Sequence, residues 1–525
     1  LRTIFRNARV LTMDAVGTDL GAATVTIEDD KIVAVEAQVS ADGADSARDT
    51  GSARRTGADL ARSGPAGGDV LEIDATGHLL MPGLVNGHFH SSANHLKGSL
   101  ESLPLEIFML FETPADGMRD DPRAAYVFTL LGAVEMLKSG VTSVLDDAFF
   151  VPAPAPSAID AIMQAYADSG IRASMALDQP NVPEIDKLPF LGESLPPDLL
   201  ARARAPAAMD GAGLLECYRH LIERWHGAAD GRLRAAVSCS APQRVTVDYF
   251  RALDALSRSH DLPFFVHVLE TKLQRVLGEE KFGGSLVRYV DGLGLLSDRM
   301  NVIHAVWVDE HDMDLLAASG AVVAHNPISN LRLGSGVMPF RELKDRGIPI
   351  CLGSDEAITD DSINMWNVAK LTGLVHNLNG GDYERWPKAA EIVQCLIQGG
   401  ARALRLPKPI GQVAVGHQAD LILVDLDTLP FTPLNDLQRQ LVYCEGGTSV
   451  RMTLVAGRVV YDNGAVIGVD EKALRAEARD IAARRAVADA SEADGAARWL
   501  PYYRDMYMKA AGRTVGLQRW IGNAT

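Results

Sequence analysis

The sequence predicts an α/β protein: a (β/α)8 TIM barrel with a small split β-sandwich formed by the N- and C-terminal segments. Three observations lead there. Eight short apolar runs recur through the middle of the 525-residue chain, separated by stretches with helical spacing, over the roughly 250 residues or more that such a barrel needs. Seven of the eight runs end on histidine or aspartate, and a barrel collects its functional side chains at the C-terminal ends of several strands. Two patches of β texture flank that middle from opposite ends of the chain. A doubly wound open sheet, the rival for the middle, gives no reason for so many polar strand ends.

The elements follow in order. Residues 1–78 hold the first part of the sandwich: ATVTIEDDKIVAVE, from Ala23 to Glu36, alternates apolar and polar residues around an Asp29-Asp30 turn. Within it, about 41–68 is Ala, Asp, Gly, Arg and Ser with almost no large apolar residue, a composition that predicts a disordered surface insertion. The barrel is predicted over 79–405, with strands at 79–85, 141–145, 171–177, 233–237, 262–266, 300–303, 321–324 and 348–352. The segment 91–117 after the first strand is longer than an ordinary strand-to-helix loop and is expected to form a pocket wall. Residues 406–468 complete the sandwich, with strand texture at 419–424 and 450–461 and a turn at Gly457. In 469–525 an Ala-, Arg- and Glu-rich helix from Glu471 leads to an aromatic tail between Trp499 and Trp520.

Composition removes several classes of function. Lys and Arg number 51 against 68 Asp and Glu, a net charge of -17, so nucleic acid and anionic membrane are repelled and a small-molecule substrate is expected. There is no run of eighteen apolar residues, and the start Leu1-Arg2-Thr3-Ile4-Phe5-Arg6 has no signal-peptide core, so a cytoplasmic location is expected. Five cysteines without a CxxC support neither a disulfide framework nor a thiolate zinc site. HExxH, GxSxG, a Walker loop and the HxE with PCxxC pattern are absent, and GAGLLE (211–216) and GLGLLS (292–297) lack the last glycine of a dinucleotide fingerprint.

The chemistry gathers at the strand ends. Residues i and i+2 of a strand share a face, so His88 and His90 of HFH can reach one ion, although such a pair is also common in polar loops. His267 closes LPFFVH and Asp355 closes IPICLGSD, which brings three imidazoles and one carboxylate around one cation. This donor set suits Zn2+, or Fe2+, Co2+ or Mn2+, and leaves a position for water. Glu270, three residues past His267, can act as a proton shuttle; the alternative is a helix N-terminal acid. His304, at the end of NVIHA, can orient water or polarise substrate; the alternative is a core histidine.

MPGLVNGHFH, GVTSVLDD, HVLET, NVIHAVWVDE, VAHNPISNLRLGSG, CLGSDEAITDDSINMW and VGHQADLILVDL, in this order, resemble the amidohydrolase superfamily in its cytosine/S-adenosylhomocysteine deaminase and triazine-hydrolase branch. The resemblance runs from the first strands to about Tyr461. It implies a metal-bearing (β/α)8 barrel with a split β-sandwich, His88, His90, His267 and Asp355 as ligands of one divalent metal per chain, and Glu270, His304 and Asp355 as the acid/base set. It implies a hydrolase acting on non-peptide carbon–nitrogen bonds of a small neutral or heterocyclic molecule by attack of a metal-bound hydroxide. Amide, urea or thiocarbamate cleavage and ring deamination or dehalogenation use the same machinery. The resemblance also implies a homo-oligomer, dimer or tetramer. A nucleobase or nucleoside deaminase is the alternative; a non-catalytic scaffold is remote, because no ligand is lost.

Two departures bear on the substrate. Binuclear relatives carry a bridging lysine or glutamate after the fourth strand, where this chain has Val237-Ser238-Cys239-Ser240-Ala241-Pro242-Gln243; a single metal follows. The same segment lacks the histidine of the nucleoside deaminases and is closer in texture to atrazine chlorohydrolase and the phenylurea and molinate hydrolases. Glu356 stands where the family commonly has glycine, with Asp360 and Asp361 nearby; it either alters the substrate pocket or caps the next helix. Phe108, Met109, Phe111, Phe149 and Trp307 are candidates for an apolar lining, with core packing as the alternative. His95, Lys97, His325 and Arg332 are candidates for substrate contact.

Overall fold

The computed structural model describes residues 1–38, 62–63, 70–112 and 121–521, without the side chains of 62–63 and 486–494. The insertion expected at about 41–68 lies outside the described residues, except for the two-residue strand Arg62–Ser63, which pairs with Val70–Asp74. Both ends of the chain build one ten-stranded sheet. Its path runs Ala465–Val466, Arg458–Asp462, Val450–Val455, Leu421–Asp425, His78–Pro82, Arg2–Leu11, Asp19–Glu28, Lys31–Ala37, with Val70–Asp74 paired to Arg2–Leu11 off this path.

The turns of this sheet follow from local chemistry. Asp29, at φ 52°, turns the chain between Asp19–Glu28 and Lys31–Ala37. Ala456 and Gly457, at φ 48° and 73°, turn it between Val450–Val455 and Arg458–Asp462, the sign that a tight hairpin between twisted strands requires. A Cβ on Gly457 would lie 1.8 Å from the Asp29 carbonyl oxygen, so the two turns pack in a contact that only glycine permits.

The apolar run 79–85 is not one strand. His78–Pro82 belongs to the ten-stranded sheet, and Leu84–His90 opens a separate parallel sheet. Pro82 has no N–H to continue a ladder, and Gly83 passes so close to Thr142 that a Cβ would meet its Cγ2 at 2.1 Å. The chain therefore changes sheets within one residue, and His88 and His90 lie inside the first parallel strand instead of beyond it.

Two five-stranded parallel sheets follow. One has the order Leu233–Ala235, Arg172–Asp178, Val141–Phe149, Leu84–His90, Asp355–Glu356; the other runs Val237–Ser238, Phe264–Val268, Met300–His304, Val322–His325, Ile350–Leu352. Ala236 alone separates Leu233–Ala235 from Val237–Ser238, and Gly353-Ser354 separates Ile350–Leu352 from Asp355–Glu356, so the sheets are continuous through the chain at both ends. Helices connect successive strands, among them Pro122–Lys138, Pro156–Ser169, Gly211–Trp225, Val247–His260 and Glu310–Ser319. Four of these five starts are capped locally: Asp121, Asp210, Thr246 and Asp309 each accept a first-turn N–H.

One buried cluster contains Val85, Leu145, Ala176, Phe265, Ile303, Ala324 and Cys351 from seven strands of the two sheets, with Ala236 from the junction between them, and Leu404 and Ile410 close it. Four of the five cysteines are buried and all are free, as the absence of a CxxC predicts. The parallel sheet and the ten-stranded sheet are joined by a buried ion pair. Arg172 Nε and Nη2 donate to Asp420 Oδ2 and Oδ1 at 2.7 and 2.9 Å, and the Ala456 N–H adds a bond to Asp420 Oδ1 at 2.8 Å.

Candidate active site

The polar strand ends converge. His88, His90, His267, His304 and Asp355 are all buried, and each comes from the C-terminal part of a parallel strand or the residue beside it. Several of these ends are strained: Ser240, Leu269, His304, Ala305 and Asp355 take φ values of 60°, 52°, 74°, 47° and 62°, a region that residues with a Cβ seldom adopt and that clusters at functional sites.

Hydrogen bonds at the far side of each ring decide which nitrogen faces inward. His267 Nδ1 donates to the Ser240 carbonyl at 2.8 Å, and His90 Nδ1 donates to the Asp147 carbonyl. Each therefore turns its Nε2 toward the cluster, as metal-binding imidazoles do when their other nitrogen is engaged. His267 Nε2 and His88 Nε2 lie 3.3 Å apart, and Asp355 Oδ1 is 3.4 Å from His88 Nε2 and 3.5 Å from His90 Nε2. Burial lowers the pKa of His88 and, with the neighbouring histidines, takes His267 well below its ordinary value. Burial alone would raise Asp355, but His88, His304 and His90 hold it well below the usual carboxylate range.

Neutral imidazoles and an ionised carboxylate are the ligand forms of these side chains, and candidate ligand atoms of His88, His90 and His267 lie within 4.8 Å of one another. Nitrogen and oxygen donors converging in this way fit one divalent cation, zinc foremost, which would satisfy all of them together. After the fourth strand Ser238, Cys239 and Ser240 are buried, and burial pushes the Cys239 thiol well above its ordinary value, so no lysine or carboxylate bridge to a second ion stands there.

His304 and Glu270 stand beside this cluster. Asn330 Nδ2 at 3.0 Å and Asn326 Nδ2 at 3.3 Å donate to His304 Nδ1, which leaves its Nε2 protonated, 3.5 Å from Glu270 Oε2 and 3.8 Å from Asp355 Oδ2. Burial, reinforced by the charges of Asp355 and Glu106, raises Glu270 well above the usual carboxylate range, and its Oε1 has no hydrogen-bond partner. His90, His267, Glu270, His304 and Asp355 open on one cavity of about 560 Å3, within the usual size of a small-molecule site.

A model of the amidohydrolase family matches residues 79–460. The chain belongs to the amidohydrolase family. Among its amidohydrolase relatives, 5'-deoxyadenosine deaminase of Methanosarcina mazei is 28% identical over 91% of this chain and 97% of its own length. The 5-methylthioadenosine/S-adenosylhomocysteine deaminase of Nitratidesulfovibrio vulgaris is 33% identical over 79% of this chain and 87% of its own. Among solved structures, atrazine chlorohydrolase of Arthrobacter aurescens complexed with zinc aligns with a TM-score of 0.77 at 23% identity, covering 91% of this chain and all of that one. An adenosine deaminase of Xanthomonas campestris with bound zinc aligns at 0.74 and 24% identity, covering 92% and 98%.

The pocket of this amidohydrolase differs in part from the sequence expectation. Met109 and Phe149 line the cavity, whereas Phe108 and Trp307 are fully buried in the core, and Phe111 packs against that core. The Trp307 indole is held by the Ser335 carbonyl at 2.7 Å, an internal partner that removes any need to face the cavity. His95, Lys97, His325 and Arg332 are outside the cavity lining and engaged elsewhere: with Ser92, Glu135, His376, and Leu100 with Asp361. Asp361 also accepts the Gly98 N–H at 2.6 Å, so it fixes the segment after the first strand. Glu356 lines the cavity and makes no cap bond to the helix it precedes.

Sequence reasoning missed two parts of the wall. The segment 91–117, described to 112, does supply Glu106 and Glu112, two buried acids hidden in an apolar helical stretch. The aromatic tail also reaches the cavity: Trp499 and Tyr503 line it, and Tyr503 Oη donates to Glu184 Oε1 at 3.1 Å. Only the aromatic density of 499–520 signalled that the tail packs against something.

Proposed function

We propose that this amidohydrolase uses water to displace a leaving group, foremost an amino group, from a ring carbon of a small nitrogen heterocycle. The observation that carries the reading is the 3.5 Å approach of His304 Nε2 to Glu270 Oε2 beside the converging imidazoles, over one cavity. What a divalent ion held by His88, His90, His267 and Asp355 supplies is Lewis acidity, which makes water a nucleophile at neutral pH. Asp355 Oδ2, facing His304 Nε2, accepts the proton of the attacking water. His304 donates from Nε2 to the reacting centre, held in orientation by Asn326 and Asn330. Glu270, kept protonated by its burial, delivers a proton to the departing nitrogen, so that the ring carbon–nitrogen bond breaks as the carbon–oxygen bond forms. The apolar wall of Phe149, Met109 and Leu110 shields this exchange from bulk water.

Chain continuity at Ala236 and at Gly353-Ser354, with one cluster drawn from strands of both sheets and the junction between them, supports closure of the two parallel sheets into one (β/α)8 barrel that begins at Leu84 and not at 79. The pairing of His78–Pro82 with Leu421–Asp425 supports a sandwich split between an N-terminal part that extends past 78 to Pro82 and 406–468, with 469–525 as a tail folded over the cavity. A purine nucleoside as substrate is the second reading, favoured by deaminase relatives that align over 87% to 97% of their own length.

The test is elemental analysis of the wild type and His267→Ala, with product release from aminotriazines, aminopyrimidines, adenosine nucleosides, phenylureas and thiocarbamates. About one metal per chain, lost together with ring hydrolysis in the variant, is the expected result. A wild type that binds no metal after reconstitution, or cleaves only ureas or thiocarbamates, overturns the reading.

A further inference from the structure

Glu356 and Glu112 are not used by the proton transfers above, and ordinary packing does not explain either. Glu356 follows Asp355 and lies in register with His90, yet it makes no cap bond. Glu112 is the last described residue of the helix Leu105–Glu112. It is only 5% exposed, and its Oε1 has no hydrogen-bond partner. Both side chains line the cavity, near enough for the charge of Glu112 to act on Glu356.

No lysine or arginine among the described residues pairs with either carboxyl. The charges acting on Glu356 are those of Glu112, Asp355 and Glu270, and those acting on Glu112 are His90, Asp355 and Asp178, of which only His90 favours the ionised form. The basic side chains lining the cavity are engaged elsewhere: Lys187 with Glu184, Arg202 over the Trp499 ring, and Arg244 with Ser240 Oγ and Met109 Sδ. A buried acceptor with no donor is costly. Two adjoining carboxyl groups are best answered by a planar group with two parallel N–H donors, which matches one carboxylate edge to edge. The Phe149 ring and the apolar side chains of Leu110 and Met109 border the same space and suit a planar ring.

We propose that Glu112 and Glu356 form a specificity subsite for an amidine-type edge of the substrate, a nitrogen-rich face with two adjacent N–H donors, beside the reacting carbon. The inference deepens the function proposed above and rests on it only for where the reacting carbon lies. Aminoazines and amidines share this edge, one neutral and the other cationic.

Calorimetric titration of the zinc-loaded protein with benzamidine, melamine and benzamide tests it in wild type, Glu112→Gln, Glu356→Gln and Glu356→Gly. Expected is a preference of about tenfold or more for benzamidine or melamine over benzamide in wild type, largely lost in each variant while zinc content and Tm hold. Benzamidine alone preferred identifies a cationic edge; melamine preferred as well identifies a neutral one. Should Glu112→Gln lose zinc, Glu356→Gly carries the comparison, since it removes one carboxyl and leaves the helix Leu105–Glu112 intact. No preference in wild type, or a preference unchanged in folded variants, overturns the subsite. Ring hydrolysis is scored separately. Intact hydrolysis with no effect of the variants removes the subsite and keeps the function; a carboxyl-dependent preference without hydrolysis keeps the subsite and removes the function.

Discussion

Removing Asp420 should unfasten the two layers of this protein. Arg172 and Asp420 are 2% exposed or less, and the guanidinium approaches both carboxylate oxygens. Asp420→Ala leaves a positive charge in the interior with no counter-charge, a cost of about 3–5 kcal/mol. The Ala456 N–H loses its acceptor too, which adds about 1 kcal/mol. Replacing both partners, as Arg172→Met with Asp420→Leu, removes the charge along with the bonds and should recover most of the loss. A chain of this size does not unfold in two states, so the readout is the order of apparent Tm values in a thermal scan at fixed rate, followed by circular dichroism. The single Asp420→Ala should melt lowest, the double variant close to wild type. An Asp420→Ala protein that melts with wild type, or a double variant as unstable as the single one, would refute the argument that the unpaired buried charge dominates.

Glu270→Gln should keep its metal and lose about 10²- to 10⁴-fold in kcat, measured by steady-state kinetics beside elemental analysis. Asp360 is pushed up to about 7 by burial. A carboxyl raised above its unfolded value binds its proton more tightly when folded, so its contribution to stability falls as pH rises from about 4 to 7; Asp360→Asn should flatten that part of a Tm-against-pH profile, and an unchanged slope would count against it. Trp499→Ala should raise KM more than it lowers kcat, because the ring walls the cavity without reaching the converging imidazoles.

The strand pattern was legible because parallel strands buried on both faces read as continuous apolar runs, and the converging cluster because histidine and aspartate close those runs. The run 79–85 misled for the same reason: burial in either sheet gives the same texture, and only Pro82-Gly83 marks the change. Phe108 and Trp307 could not be told from cavity residues, since composition does not say whether an aromatic ring faces solvent or core. Glu112 was hidden within the segment 91–117, and its meaning depends on Glu356, far away in sequence. The Asp420 of VGHQAD was visible as part of a motif, but its partner Arg172 sits in another layer, and no local periodicity links the two.

The pairing of His78–Pro82 with Leu421–Asp425 also sets a timetable. During synthesis the N-terminal strands emerge early, but their central neighbour is made only after the whole parallel region has left the ribosome. Until then His78–Pro82 presents an open ladder edge, a template for the wrong partner. Trp499 and Tyr503 come later still, so the cavity acquires this wall only after both sheets have been made, and a nascent chain without them cannot hold a substrate as one with them does.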